Sequence, residues 1–279
     1  MLISVSCGDS SASPDEADNP GASEEATVQY EASVLYERYC LSCHGEEGYG
    51  DGVSSPLLFI KPRDFSMGIF KFRTTLGGMP TDEDLYRTIE EGVGGTEMSP
   101  YENLPPEAIN ELVAYVKKLT VGEIEVADEE EAKELEGLQE VIEDDGWYYA
   151  RINWFEFRGV GEKITVPEPP KPTQELVDRG KELFTGIATC NTCHGDEGLG
   201  DGTAGQDLVD DWGVPIKPRN FKEDQFKGGS DPEDLYLRVV IGIPGTPMPS
   251  SRGVITDPED VWAIVYYVLK LKGRLYIPK

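Results

Sequence analysis

Histidine is nearly absent from this chain: 279 residues contain two, His44 and His194. Whatever those two do, none is left for further acid–base or metal chemistry. Cysteine is scarce as well, five in all, four of them in two CxxCH motifs, which leaves Cys7 alone and no disulfide framework available. Basic residues are outnumbered, 25 against 53 acidic, for a formal charge of −28 and a pI near 4.3. That balance argues against nucleic acid and anionic membrane surfaces as partners. It suits solubility or a saline habitat, and equally the steering of a basic partner. No stretch reaches the roughly 18 apolar residues of a membrane-crossing helix, so a soluble body is expected. A mass of 30.8 kDa allows two or three small domains, each short of core.

What is present is concentrated around the scarce residues. Each histidine closes a CxxCH, Cys40-Leu-Ser-Cys43-His44 and Cys190-Asn-Thr-Cys193-His194. Two thiols three residues apart can each add to a vinyl group while the adjacent imidazole reaches an iron, which is the attachment pattern of haem c. Two covalent haems are therefore expected. CxxC can also serve as a redox dithiol or as half a zinc site, but those readings leave both histidines unused.

The two motifs head a duplication. His44-Gly-Glu-Glu-Gly-Tyr-Gly-Asp51-Gly52 matches His194-Gly-Asp-Glu-Gly-Leu-Gly-Asp201-Gly202 at an offset of 150 residues. Lys61-Pro-Arg-Asp-Phe65 matches Lys217-Pro-Arg-Asn-Phe221 at 156, so the second copy carries six extra residues in between. The offset is again 150 at Glu83-Asp-Leu-Tyr86 against Glu233-Asp-Leu-Tyr236, and at Gly95-Thr-Glu-Met98 against Gly245-Thr-Pro-Met248. Met98 thus follows His44, and Met248 follows His194, by the same 54 residues. With no spare histidine, these methionines are the expected second axial ligands. Met79 and Met67 have no counterparts and are read as core or surface residues.

Each copy reads as three main helices. The first spans Ala32–Tyr39 or Gln174–Phe184; the second starts at Thr81 or Ser230; the third starts after Pro105-Pro106 or at Asp257-Pro258. Ile109, Leu112, Val113, Val116 and Leu119 form one apolar stripe, repeated by Val261, Ile264, Val265, Val268 and Leu271. Residues 1–28 read as a truncated signal or lipoprotein-like disordered tether, with Cys7 either a lipidation site or an incidental cysteine. The first domain is expected over 29–121 and the second over 174–279. Between them, 122–173 is expected to be an acidic and aromatic linker. Its Glu123–Asp145 part holds 12 acidic residues and is expected to be a solvated helix or flexible chain, followed by one or two strands at about 147–157 and a Pro-rich spacer.

Small-then-aromatic residues on the first helix (Ala32 and Tyr36; Gly180 and Phe184), CxxCH, a Gly-rich loop, Pro-Arg-Asp/Asn-Phe, Gly-Thr-x-Met and an aromatic last helix together resemble class I cytochromes c. More narrowly they resemble dihaem c-type cytochromes of bacterial respiratory chains, over residues 30–119 and 174–272. The resemblance implies an all-α fold of two tandem domains, apart from the short β segment at 147–157. It implies that first and last helices cross beside the haem, placing Gly180 and Phe184 against Tyr266 or Tyr267. It also implies that the carbonyl of Pro56, 12 residues beyond His44, accepts the proton of that histidine's other nitrogen; the second copy has Gln206 there. Arg63 and Arg219 suit haem propionates, or are surface arginines paired with carboxylates.

Irons held by His and Met on both faces have no open position, which implies single-electron transfer rather than catalysis. The expected role is a carrier or electron-transfer subunit between a membrane-associated donor and a terminal oxidase or reductase. A dihaem peroxidase with one reactive iron is the alternative, although it lacks a free histidine for acid–base work. Work in the periplasm or on the outer face of a membrane is expected, with redox proteins as partners and contact with the membrane only through a lipid on Cys7.

Overall fold

A computed structural model describes residues 30–135 and 137–277 of the chain. The N-terminal tether with Cys7 lies outside the described residues.

The first unit opens with α1 (Ala32–Tyr39) and the four-residue α2 (Leu41–His44). A short strand β1 (Thr75–Leu76) and helices α3 (Asp82–Glu91) and α4 (Pro106–Leu119) follow. Thr81 caps α3 through a reciprocal capping box with Asp84, and Pro105 precedes α4, both where the sequence expects them. The buried side of α4 is its apolar stripe, Ile109, Leu112, Val113 and Val116, against α1 and α3.

The chain then departs from an all-α plan. β2 (Val121–Val126), β3 (Leu138–Asp144) and β4 (Trp147–Asn153) form an antiparallel sheet in the order β2-β4-β3, with the short α5 (Glu129–Lys133) between β2 and β3. The acidic segment is therefore mostly strand, and only α5 within it is a solvated helical turn. Glu123, Glu125, Glu140 and Glu143 occupy exposed positions of strands β2 and β3, while the sheet supplies Val126, Ala150 and Ile152 to the first core. Asp145 and Gly146, both at positive φ (48° and 82°), make the β3–β4 hairpin turn. Only Trp147–Asn153 of the expected β segment is strand, because Asn153 caps a helical turn, α6 (Trp154–Arg158). Trp154 pins the sheet to the first unit: its indole N–H donates to the Ser66 carbonyl at 2.5 Å.

The path to the second unit runs along Met79. This methionine is fully buried, its backbone bonds Gly159 and Gly161, and β5 (Glu162–Lys163) pairs antiparallel with β1. Met79 lacks a counterpart because the loop that carries it exists to hold this strap.

The second unit repeats the first with α7 (Gln174–Thr185), α8 (Asn191–His194), α9 (Pro232–Ile241) and α10 (Pro258–Leu271). α9 is capped by Asp231, one residue later than expected, which restores the 150-residue offset from Thr81. The six extra residues form a hairpin of β6 (Leu208–Val209) and β7 (Pro215–Ile216).

The crossing of α7 and α10 is the tightest helix contact. A Cβ on Gly180 would overlap the Ala263 carbonyl and come within 3.0 Å of the Tyr267 Cβ. Phe184 meets Tyr267 edge-on at 5.3 Å between ring centroids, so of the two tyrosines expected here Tyr267 makes the contact. The first unit has the same pairing in Tyr36 and Tyr115, at 4.9 Å. In each unit one hydroxyl of the aromatic pair buckles the loop after CxxCH: Tyr36 donates to the Gly45 carbonyl at 2.8 Å and Tyr267 to the Asp196 carbonyl at 3.0 Å. The tyrosine has moved from first helix to last, while the tie is kept. Gly180→Ala is expected to cost about 1–3 kcal/mol through overpacking, read as a fall in the thermal midpoint of the holoprotein. An unchanged midpoint would mean the helices do not approach this closely.

Candidate functional site

α2 and α8 are single helical turns, and that brevity presents the CxxCH side chains. His44 N–H donates to the Cys40 carbonyl and His194 N–H to that of Cys190, each at 2.9 Å, so both thiols and the imidazole share one turn. The Gly-rich loop then wraps back. Gly50 N–H bonds the His44 carbonyl and Gly52 N–H the Cys43 carbonyl; Gly200 and Gly202 do the same for His194 and Cys193. Gly48 and Gly198 sit at φ 77° and 67°, and a Cβ on either would lie 2.6 Å from the ring of Phe65 or Phe221. Those rings stack on the imidazoles, His44 on Phe65 at 4.9 Å and His194 on Phe221 at 4.6 Å.

The acceptor for the ligating histidine is not Pro56. His44 Nδ1 faces the carbonyl of Arg63 at 3.2 Å, while the Pro56 carbonyl lies 3.5 Å from the Lys61 ammonium. His194 Nδ1 faces the Arg219 carbonyl at 3.4 Å, which also answers the question raised by Gln206. The shared Pro-Arg-Asp/Asn-Phe motif thus supplies both the carbonyl that orients the imidazole and the phenyl ring that supports it. A carbonyl only accepts, so Nδ1 carries the proton and Nε2 keeps its lone pair for iron. Burial lowers the pKa of both imidazoles, partly offset by these carbonyls, which favours the neutral ligand form.

Met98 and Met248 sit in loops of matching geometry. Val93 N–H bonds the Met98 carbonyl and Ile243 N–H the Met248 carbonyl, each at 3.0 Å. Thr96 donates its hydroxyl to Val93 at 2.7 Å and accepts from Met98 N–H at 3.1 Å; Thr246 does the same with Ile243 and Met248 at 2.7 and 3.2 Å. The threonine of Gly-Thr-x-Met is the clip of this loop. Its presence in both copies was the available signal, although its role was not read from the sequence.

The donor set fits an iron porphyrin better than the alternatives. Burial pushes the Cys40 thiol up to about 12 and the Cys190 thiol to about 11, which disfavours free thiolates at both positions. Among the described residues no three His, Cys, Asp or Glu side chains gather as a metal cluster. When bound, haem c supplies a reversible one-electron couple. This chain would hold it through Cys40, Cys43 and His44 with Met98, and through Cys190, Cys193 and His194 with Met248.

The two arginines fare differently. Arg219 pairs with Asp224 at 3.4 Å. Arg63 is half-buried with its guanidinium 3.6 Å above the Trp212 ring of the second unit, and burial lowers it to about 10. Trp212 lies in the six-residue insertion and was missed because it has no counterpart in the first copy. Thr96→Val and Thr246→Val are each expected to weaken the sulfur-to-iron charge-transfer absorption of one haem while leaving two haems per chain by pyridine haemochrome. An unaltered band in both variants would mean the clip does not control the methionine.

The family model for cytochrome c oxidase, cbb3-type, subunit III matches residues 30–116, and that for cytochrome c matches residues 177–272. Among solved structures, a chain of the Kuenenia stuttgartiensis reducing HAO-like protein complex is 37% identical. That match covers 88% of this chain and 96% of the other, with a TM-score of 0.72. A comparison with curated proteins finds no significant match. Two cytochrome c domains in tandem, each binding one covalent haem c, make this chain a member of the dihaem c-type cytochromes.

Proposed function

We propose that this protein is an electron-transfer cytochrome that passes single electrons between a membrane-associated donor and a terminal oxidase or reductase. Electron transfer is the business of its two domains; the finer reading rests chiefly on the matched pair of methionine loops. Each threonine-clipped loop offers a thioether at the same distance in sequence from its histidine. Met98 and Met248 would hold the irons together with His44 and His194, and such ligation would close the irons to substrate and favour the ferrous state, which suits the high-potential side of a chain of carriers. A reactive haem would need an open position and an acid–base group beside it. Both histidines are committed to ligation, and their Nδ1 protons to the Arg63 and Arg219 carbonyls.

The related chain belongs to a complex of two proteins. That relation, at 37% identity along nearly the whole of the other chain, supports a subunit that stays docked to a redox enzyme rather than a freely diffusing carrier. No described helix is long and apolar enough to cross a membrane. Covalent haem attachment outside the cytoplasm and the tether bearing Cys7 support a periplasmic or outer-face protein held by a lipid.

The test is a comparison of the holoprotein with Met98→Ala and Met248→Ala. The native protein is expected to exchange one electron per haem with small redox mediators, to bind no carbon monoxide and to show no peroxide turnover. Each variant is expected to bind carbon monoxide at one haem and to lose potential at that haem. Peroxide turnover by the native protein, or carbon monoxide binding that neither variant increases, would overturn the reading.

A further inference from the structure

The two methionine loops share a threonine clip but differ in how freely the chain around it can move. Val93-Gly94-Gly95-Thr96-Glu97-Met98-Ser99 corresponds to Ile243-Pro244-Gly245-Thr246-Pro247-Met248-Pro249. The prolines of the second loop, Pro244, Pro247 and Pro249, stand where the first has Gly94, Glu97 and Ser99. Proline removes conformations that an opened loop would gain, and glycine adds them.

Packing follows the same division. In the second domain the loop is pressed from two sides. The hairpin of β6 and β7 lays the Trp212 ring on Gly245, and Asp211 N–H bonds the Gly245 carbonyl at 3.0 Å. From the first domain Ile69 reaches the same glycine, where an added Cβ would lie 2.9 Å from its methyl carbon. Two more residues of the first domain hold the hairpin down, Arg63 over the Trp212 ring at 3.6 Å and Lys71 on the Asp210 carboxylate at 3.1 Å. Gly245 is half-buried as a result.

The first loop has no such lock. The six residues that build the hairpin are missing from this copy, and Gly95 is exposed. Its cover is Gln225, which takes the place of Ile69 in the repeat at the 156-residue offset and lays its amide against Gly94. Gln225 is itself exposed, so it covers the loop without confining it. Gly94 N–H makes no hydrogen bond among the described residues.

We propose that Met98 is the exchangeable ligand of the pair: the first loop opens and yields its place on the iron to a small neutral nitrogen donor. The second loop, locked by its hairpin and by Ile69 across the seam, keeps Met248 in place. The exchange breaks one sulfur–iron bond and makes one nitrogen–iron bond, with no change of oxidation state. It belongs to the ferric form, since a thioether favours the ferrous one. Such exchange presupposes His–Met ligation at both irons, the reading proposed above. The first domain thereby gains a small-molecule site that the second lacks.

Imidazole is the probe, titrated into the fully oxidised, full-length holoprotein while the sulfur-to-iron charge-transfer band is followed. The band is expected to fall by one haem's share and then to hold. In Met248→Ala, whose remaining band belongs to Met98, imidazole is expected to abolish it; in Met98→Ala the remaining band is expected to resist. Gly94→Pro gives the first loop the second loop's residue without removing a hydrogen bond. It is expected to raise the half-saturating imidazole concentration about two- to fivefold. Exchange at both irons with one half-saturation, exchange at the second iron first, or a band that imidazole leaves intact would overturn the proposal. So would a Gly94→Pro half-saturation equal to the native one. A native band that Met98→Ala does not reduce would refute the ligation itself and the site with it, whereas the other failures leave the ligation standing.

Discussion

On the ligation proposed here, each half of this molecule answers one constraint: an imidazole and a thioether separated by 54 residues must be held where both could reach a single iron. The imidazole side is rigid because a one-turn helix carries it, a glycine-rich loop bonds the backbone of that turn, and a carbonyl and a phenyl ring fix the imidazole. The thioether side is a loop, and loops hold a side chain in place only when their own backbone is tied. The threonine hydroxyl makes that tie in both copies. The helices serve these two sides. α4 and α10 supply the buried stripe, the aromatic crossing locks first helix to last, and a tyrosine from that crossing holds the loop after CxxCH.

Duplication explains what is shared, and departures from it explain how the copies are joined. The first copy's extra loop carries Met79, which anchors the strap of chain leaving the sheet. The second copy's extra hairpin carries Asp210 and Trp212, which meet Lys71 and Arg63 of the first domain. A further link pairs Arg87 of α3 with Asp234, the capping carboxylate of α9, at 2.6 and 3.1 Å. The equivalent carboxylate in the first copy, Asp84, serves only its own unit, bonding Thr74 and Thr81. One capping residue has thus been recruited to the interface.

How much of this was legible follows from which signals are local. Helix starts were readable where proline or a capping residue marks them, as at Thr81, Pro105 and Asp257, and were missed by one residue where Ser230 stood beside Asp231. Histidines, thiols and methionines were readable because the repeat exposes equal spacing. The sheet was not, because its outward positions are glutamates, and strand alternation written in Glu against Val and Ile looks like an acidic run when no partner strand is in view. The Asp145-Gly146 dipeptide was the one local cue to its hairpin. The Pro56 assignment failed because a spacing carried over from a family says nothing of which nearby carbonyl the ring nitrogen meets. Arg63 was noticed for its side chain, whereas its carbonyl does the orienting.

Electrostatics complete the account. A chain of net charge −28 exposes the glutamates of its sheet, buries Asp210 and Asp234 against Lys71 and Arg87 across the seam between domains, and gathers Arg63, Arg219 and Lys227 there as well. The claim on which all of this rests is that both irons are closed by one histidine and one methionine. Electron paramagnetic resonance of the fully oxidised holoprotein tests it most directly. Two low-spin ferric signals of equal intensity with the anisotropy of histidine–methionine ligation are predicted, and a high-spin signal from either haem in the native protein would contradict the account.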